Sequence, residues 1–269
     1  MLHREELGHG PRVVALHSGG MSARQWRRLA EQLAPSFRVV LPDLLGSGAN
    51  PPWPEPDAFD VRLDVAALGH LLDALGEPVH LVGHSYGGFL ALTLARQRPA
   101  DVRSLAVYDP TAFGVLHGAG DAEGLADLER ARAQAVFLDD RRGGGAEWYE
   151  AFVDYWNGPG TWRALPAAAR EGFLRTGRKV YLEARSLLAE RTPAEAYAGI
   201  AAPTLLLGGE RSPAAARRVL ALLAAAIPGA RAHLVSGAGH MGPISQAEEV
   251  NRRIAQHLAG DLARAAGAG

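Results

Sequence analysis

The sequence contains no cysteine. Disulfides, thiolate metal ligands and a cysteine nucleophile are thereby excluded, and the composition is compatible with a reducing compartment. A surplus of either charge is also missing: 28 Lys and Arg stand against 29 Asp and Glu, a formal net charge of −1. No electrostatic case exists for binding nucleic acid or an anionic membrane. No apolar run is long enough for a transmembrane span, since the longest are bounded by charge or proline. The opening residues, Met1-Leu2-His3-Arg4-Glu5-Glu6, lack the apolar stretch of a signal peptide, so the expected location is cytoplasmic. There is no P-loop, no H-E-x-x-H and no dinucleotide fingerprint, because Gly46-Ser47-Gly48 has neither a third glycine nor a following helix. No cofactor and no metal are expected.

What is present suits one α/β domain with room for an insertion: 269 residues, 48% of them hydrophobic. Residues 2–7 read as a short edge strand. Val13-Val14-Ala15-Leu16, Phe37–Leu41, Val79–Val82, Ser104–Tyr108, Thr204–Leu207 and Ala232–Val235 read as strands. Helices fall between them, over Arg24–Leu33, a face built from Val61 to Leu75, a segment from Gly87 to before Pro99, Ala214–Ala226, and about Gln246 to Leu258. A proline-rich loop (Pro51, Pro52, Pro54, Pro56) precedes the second helix, and an Ala/Gly tail ends the chain. Continuous apolar strands alternating with helices predict a mostly parallel, doubly wound sheet buried on both faces. Ligand chemistry then lies beyond the carboxyl ends of the strands. Between Pro110 and about Ala202 the alternation stops. Asp121–Phe137, Glu147–Trp156, Pro166–Thr176 and Arg178–Glu190 all read as helices there, separated by glycine-rich breaks.

The central stretch is Val79-His80-Leu81-Val82-Gly83-His84-Ser85-Tyr86-Gly87-Gly88. It places a G-x-S-x-G between a buried strand and an apolar helix, the context in which a serine is held on a strained turn as a nucleophile. A serine hydroxyl needs a base within hydrogen-bond reach. Of ten histidines, His240 is the one in a glycine-rich loop directly after the last strand, at the same sheet edge as Ser85. His233 lies within a strand and His257 within the final helix, while His84 adjoins Ser85 on a turn too tight for the two to face each other.

With His17-Ser18-Gly19-Gly20, Pro42-Asp43-Leu44-Leu45-Gly46-Ser47-Gly48, Gly83-His84-Ser85-Tyr86-Gly87-Gly88 and Gly237-Ala238-Gly239-His240 in that order, the chain resembles the α/β-hydrolase superfamily over nearly its full length. The resemblance implies an eight-stranded type of sheet, here shortened at the N-terminus. It implies a core of residues 1–110 and 201–269, with residues 111–200 as a helical cap. The oxyanion hole would use the amides of Tyr86 and Gly19, although His17-Ser18 departs from the more usual His-Gly. Relatives most often carry the triad acid in a Gly-x-x-Asp after the strand matching Thr204–Leu207, where this chain has Gly209-Glu210-Arg211-Ser212. Haloalkane dehalogenases of one subgroup place it one strand earlier, which here is Asp109. Asp109 is the favoured acid and Glu210 the alternative.

Trp148, Phe152, Tyr155 and Trp156 share one helix face in the inserted block. Trp148, Phe152 and Trp156, with Tyr108 and Met241, are the candidate pocket residues. These readings point to a hydrolase that acts on a small, largely apolar ester or related acyl substrate, without nucleic-acid or membrane partners and with its oligomeric state open. Hydrolysis of a carbon–carbon bond by the same triad, or non-catalytic binding of a small molecule, are the alternatives.

Overall fold

The computed structural model describes residues 2–54 and 59–267. Pro56 of the proline-rich loop and the last two residues of the Ala/Gly tail lie outside them. Among the described residues seven strands form one sheet: β1 (Arg4–Leu7), β2 (Arg12–Leu16), β3 (Arg38–Pro42), β4 (Val79–His84), β5 (Val102–Tyr108), β6 (Thr204–Gly209) and β7 (Arg231–Val235). Their order across the sheet is β1-β3-β2-β4-β5-β6-β7. Only β1, at the edge, runs antiparallel to its neighbour. The chain winds outward from β2 to β3, then returns to build the other half from β4 onward. That reversal leaves a crevice at the carboxyl ends of β2 and β4, where α/β sheets place their chemistry.

The helices in chain order are α1 (Arg27–Leu33), α2 (Val61–Leu75), α3 (Tyr86–Gln97), α4 (Gly114–Ala119), α5 (Ala122–Arg132), α6 (Ala146–Asn157), α7 (Thr161–Ala164), α8 (Ala167–Arg175), α9 (Gly177–Ala189), α10 (Ala214–Ala226), α11 (Gly242–Ser245) and α12 (Ala247–Gly267). Side chains that alternate along each strand separate the core into two layers. Val13, Ala15, Val39, Leu41 and Val82 pack with Trp26, Leu29 and Leu33 near α1 and with Val250, Ile254 and Leu258 of α12. Val14, Leu16, Val40 and Leu81 pack on the other face against α2, α3 and α10. Helix α2 begins where the Asp60 side chain accepts a hydrogen bond from the Arg62 amide, which satisfies one of the first-turn N–H groups.

Helices α4 to α9 fill the interval between β5 and β6. Their own aromatic cluster, with Trp148, Tyr149, Trp162 and Tyr181 at its centre, lets this block bury its amphipathic faces apart from the sheet. The helix expected over Asp121–Phe137 ends earlier, at Arg132. Phe137 lies instead beneath Trp148, with ring centroids 6.2 Å apart. Among the described residues no helix is long and apolar enough to cross a membrane.

Candidate active site

Strand β4 ends at His84, and α3 begins two residues later with Tyr86. Ser85 between them has φ 54° and ψ −117°, a region that a side chain rarely adopts. The flanking glycines make the turn feasible. A Cβ on Gly83 would stand 2.4 Å from the Gly87 carbonyl oxygen, and one on Gly87 would stand 2.4 Å from the Leu16 and His17 carbonyl oxygens. Any side chain at either position would push α3 off β2 and β4.

His240 follows β7 and meets Ser85 across the crevice, with the Ser85 hydroxyl 3.0 Å from its Nε2. Its Nδ1 lies 3.1 Å from Asp109 Oδ2. Asp109 directly follows β5 and has φ 42°, a left-handed conformation that Asp tolerates better than most residues. Its carboxylate also accepts from the Ser212 hydroxyl and, at 3.3 Å, from the Gly209 amide. Burial pushes the His240 pKa below its usual 6.5, which leaves a neutral imidazole able to accept a proton from Ser85. Burial pushes the Asp109 carboxyl upward, and the bonds from Ser212 and Gly209 draw it back.

Glu210 is not brought to the imidazole. Its exposed carboxylate accepts from the Ser236 hydroxyl at 3.1 Å and the Gly237 amide at 2.8 Å, bracing the turn after β7. Ser212, standing where relatives carry an acid, becomes a hydrogen-bond donor to the acid on the neighbouring strand.

The loop after β2 is held from two directions. His17 is buried; its Nδ1–H donates to the Ser18 carbonyl and its Nε2 accepts from the Leu44 amide. Gln25 Oε1 accepts from both the amide and hydroxyl of Ser18. The amide nitrogen of Gln25 donates to His84 Nδ1 at 3.0 Å, and His84 Nε2–H donates to the His240 carbonyl at 2.8 Å. Gln25 and His84 thus tie the loop containing Gly19 to the backbone of His240. Burial drives His84 down to about 3, consistent with a neutral ring that donates on one side and accepts on the other. Nothing in the sequence around Gln25 or His84 signals this link, since it joins residues 59 and 156 positions apart. Tyr86, as the first residue of α3, has an amide without an intrahelical acceptor.

A cavity of about 320 Å³ opens over Ser85 and His240, and Gly19, Tyr86 and Met241 also line it. Phe152 and Trp156 contribute from α6. The Trp156 indole stacks on His240, with centroids 3.8 Å apart and planes at 20°. Trp148 and Tyr108, expected in the pocket, are not among its lining residues. Trp148 is fully buried in the helical block, stacked on Phe152, with its N–H donated to the Phe137 carbonyl. The Tyr108 hydroxyl turns to the Gly239 carbonyl at 2.8 Å and holds the His240 loop. Both are long amphipathic side chains whose polar atoms found backbone partners in the interior.

Sequence reasoning also missed a buried ionic cluster under the cavity. Lys179 and Glu183, one turn apart on α9, pair with each other, and Lys179 Nζ donates to Asp64 Oδ2 of α2 at 2.7 Å. Asp64 also accepts from the Tyr86 hydroxyl at 2.8 Å and the Leu45 amide at 3.0 Å. A charge at position 64, on the face that carries Leu68 and Leu71, was the available signal. The i, i+4 spacing of Lys179 and Glu183 reads in sequence as an ordinary surface pair.

The family model described as "Alpha/beta hydrolase family" matches residues 13–253. The chain belongs to that family and is a hydrolase. It is 34% identical over 262 residues to the pimeloyl-(acyl-carrier protein) methyl ester esterase of Chromobacterium violaceum, covering 94% of this chain and 96% of that protein. It is 44% identical over 112 residues to Lipase LipV of Mycobacterium tuberculosis, a match that spans 40% of this chain and only 41% of the lipase. The solved structure of a thermophilic esterase from Thermogutta terrifontis superposes with a TM-score of 0.72 at 24% identity, covering 97% of this chain and 93% of that one; it shares the fold.

Proposed function

We propose that the protein hydrolyses small, largely apolar carboxylic esters through a Ser85–His240–Asp109 triad. The observation that carries this reading is the continuous hydrogen-bond relay from Ser85 through His240 to Asp109, opening into an apolar cavity. The ester activity of the full-length relative supports the same reaction class.

Ser85 Oγ attacks the ester carbonyl as its proton passes to His240 Nε2. Asp109 holds the Nδ1–H tautomer and stabilises the imidazolium. The developing oxyanion is received by the amides of Tyr86 and Gly19, the first of them at the positive end of α3. His240 then returns its proton to the departing alkoxide, which leaves as the alcohol. In the second half, His240 takes a proton from water, whose oxygen attacks the acyl-enzyme carbonyl; as the bond to Ser85 Oγ breaks and the acid departs, His240 gives that proton to Ser85 Oγ. Residues 111–200 act as a cap over the core formed by residues 1–110 and 201–269, and Trp156 shields His240 from solvent on the cap side. Intact-mass measurement after exposure to a fluorophosphonate tests the assignment. One adduct is expected, and it disappears in Ser85→Ala. No adduct, with ester turnover at background, would refute the reading.

A further inference from the structure

Helix α6 brings Trp156 from the helical block onto the ring of His240. The two planes are inclined by 20° with their centroids 3.8 Å apart, so the indole covers one face of the imidazole. Both residues are buried, at 7% and 3% exposure. Other aromatic rings fix the indole in place. Phe113 lies nearly parallel to it at 6.4 Å, and Phe152 and Tyr155 meet it edge-on at 6.4 and 5.0 Å. The indole Nε1–H has no hydrogen-bond partner among the described residues. Ring packing, rather than hydrogen bonding, therefore sets where Trp156 lies.

A buried N–H without an acceptor is unfavourable, and a phenyl ring would complete an apolar wall without that cost. What an indole adds is the natural aromatic face best suited to a cation. The reaction itself supplies the cation. Each time His240 takes a proton, from Ser85 or from water, the charge forms on the ring beneath that face. We infer that Trp156 is a positioning residue for the base, which holds His240 in its stack and stabilises the imidazolium through a cation–π contact in both half-reactions. This inference rests on the triad reading and adds to it a residue of the helical block that acts through His240. Excluding water disfavours the imidazolium, and burial lowers the His240 pKa for that reason. The indole offsets part of that penalty without readmitting water. The other titratable groups around the ring are Asp109 on Nδ1, His84 with its centroid 4.9 Å away, and Tyr108, whose hydroxyl is bound to the Gly239 carbonyl. Asp109 meets the ring at its edge and Trp156 meets it at its face, so the two act on different sides of one charge.

Site-specific replacement of Trp156 by monofluoro-, difluoro- and trifluorotryptophan keeps the shape of the indole and withdraws electron density from its face. Steady-state turnover of p-nitrophenyl butanoate, the pH profile of kcat/KM and thermal melting are read for each protein. With melting unchanged, kcat should fall stepwise with each fluorine and reach about a tenfold loss in the trifluoro protein, as a desolvated cation–π contact provides. KM should change by less than about twofold, because the bound ground state holds no imidazolium. The acid limb of kcat/KM reports the free enzyme and does not depend on how the indole touches substrate. Loss of the attraction disfavours the charged form, so the midpoint of that limb should move to lower pH, by up to about one unit for the same tenfold. A kcat that stays within about twofold across the series overturns the inference. So does a falling kcat with an unmoved acid limb, which marks a substrate contact instead. Trp156→Phe and Trp156→Leu give a second reading with natural side chains. Both open the wall, but only Phe keeps a π face, so its kcat should stand at least about threefold above that of Leu; equal values overturn the inference. Ester hydrolysis that is indifferent to the fluorines defeats this inference alone, whereas no ester hydrolysis by the wild-type protein defeats the triad reading and the inference together.

Discussion

Replacing Asp109 by Asn tests the least obvious member of the relay. Three donors converge on the native carboxylate: His240 Nδ1–H, the Ser212 hydroxyl and the Gly209 amide. In Asp109→Asn a side-chain amide group facing His240 would donate to Nδ1, which forces the ring proton onto Nε2 and removes the acceptor for the Ser85 hydroxyl. The stabilisation of the imidazolium is lost in the same step. Together these effects should lower kcat by about a thousand- to ten-thousandfold, or about 4–5.5 kcal/mol of transition-state free energy. The fold should be retained, since Asn also tolerates positive φ. Ser212 provides a rescue, because Ser212 Oγ and His240 Nδ1 meet at the same Asp109 oxygen. In Asp109→Gly the positive φ is kept and the carboxylate is gone. Adding Ser212→Asp supplies a carboxylate from the next strand and should recover kcat by about tenfold or more over Asp109→Gly. Steady-state turnover of p-nitrophenyl butanoate, with thermal melting as the folding control, reads all three proteins. The reasoning is refuted if Asp109→Asn keeps more than about a tenth of wild-type kcat while Glu210→Gln, expected to be close to wild type, abolishes it.

Trp148 belongs to the aromatic core of the helical block, so Trp148→Ala should cost about 3–5 kcal/mol of stability in denaturant unfolding; a shift in substrate preference with unchanged stability would contradict this placement. Gln25→Leu cuts the link from Ser18 to His84 and should lower kcat by about tenfold to a hundredfold with little change in KM, as steady-state kinetics would show. Burial depresses the His240 pKa below 6.5. The neutral base therefore persists as pH falls through 6.5, and the acid limb of kcat/KM should have its midpoint below that value; a midpoint at or above it in a pH–rate profile would contradict the buried-base geometry.

The winding of the sheet was readable because the evidence for it is local. Val13-Val14-Ala15-Leu16 and Val79–Val82 carry their burial on both faces in their composition, and the strands observed there match. The two-layer core followed from the same patterning. The G-x-S-x-G turn was equally legible, because the need for glycine at 83 and 87 arises within five residues and from the strand alongside. The aromatic face of α6 could be seen, but not how it divides. Phe152 and Trp156 reach the cavity while Trp148, on the same face, is sealed inside the block. A helix face is wider than a pocket wall, and only its neighbours decide which part of it is covered.

Sequence by itself therefore determined the α/β architecture, the helical insertion, and the turns that carry Ser85 and His240, because each depends on residues close together in the chain. It left two carboxylates competing for His240. The pairing of β5 with β6 decides which of them arrives: it sets Asp109 beside Gly209 and Ser212 and facing an imidazole 131 positions later, while Glu210 turns back to its own loop. The Gln25–His84 link and the Lys179–Asp64–Glu183 cluster are likewise products of tertiary structure alone. Their members are ordinary polar residues until the helical block closes over the sheet and removes water. Burial then makes an unpaired oxygen costly, and among the described residues Glu183 Oε2, packed beside Gly19, is one.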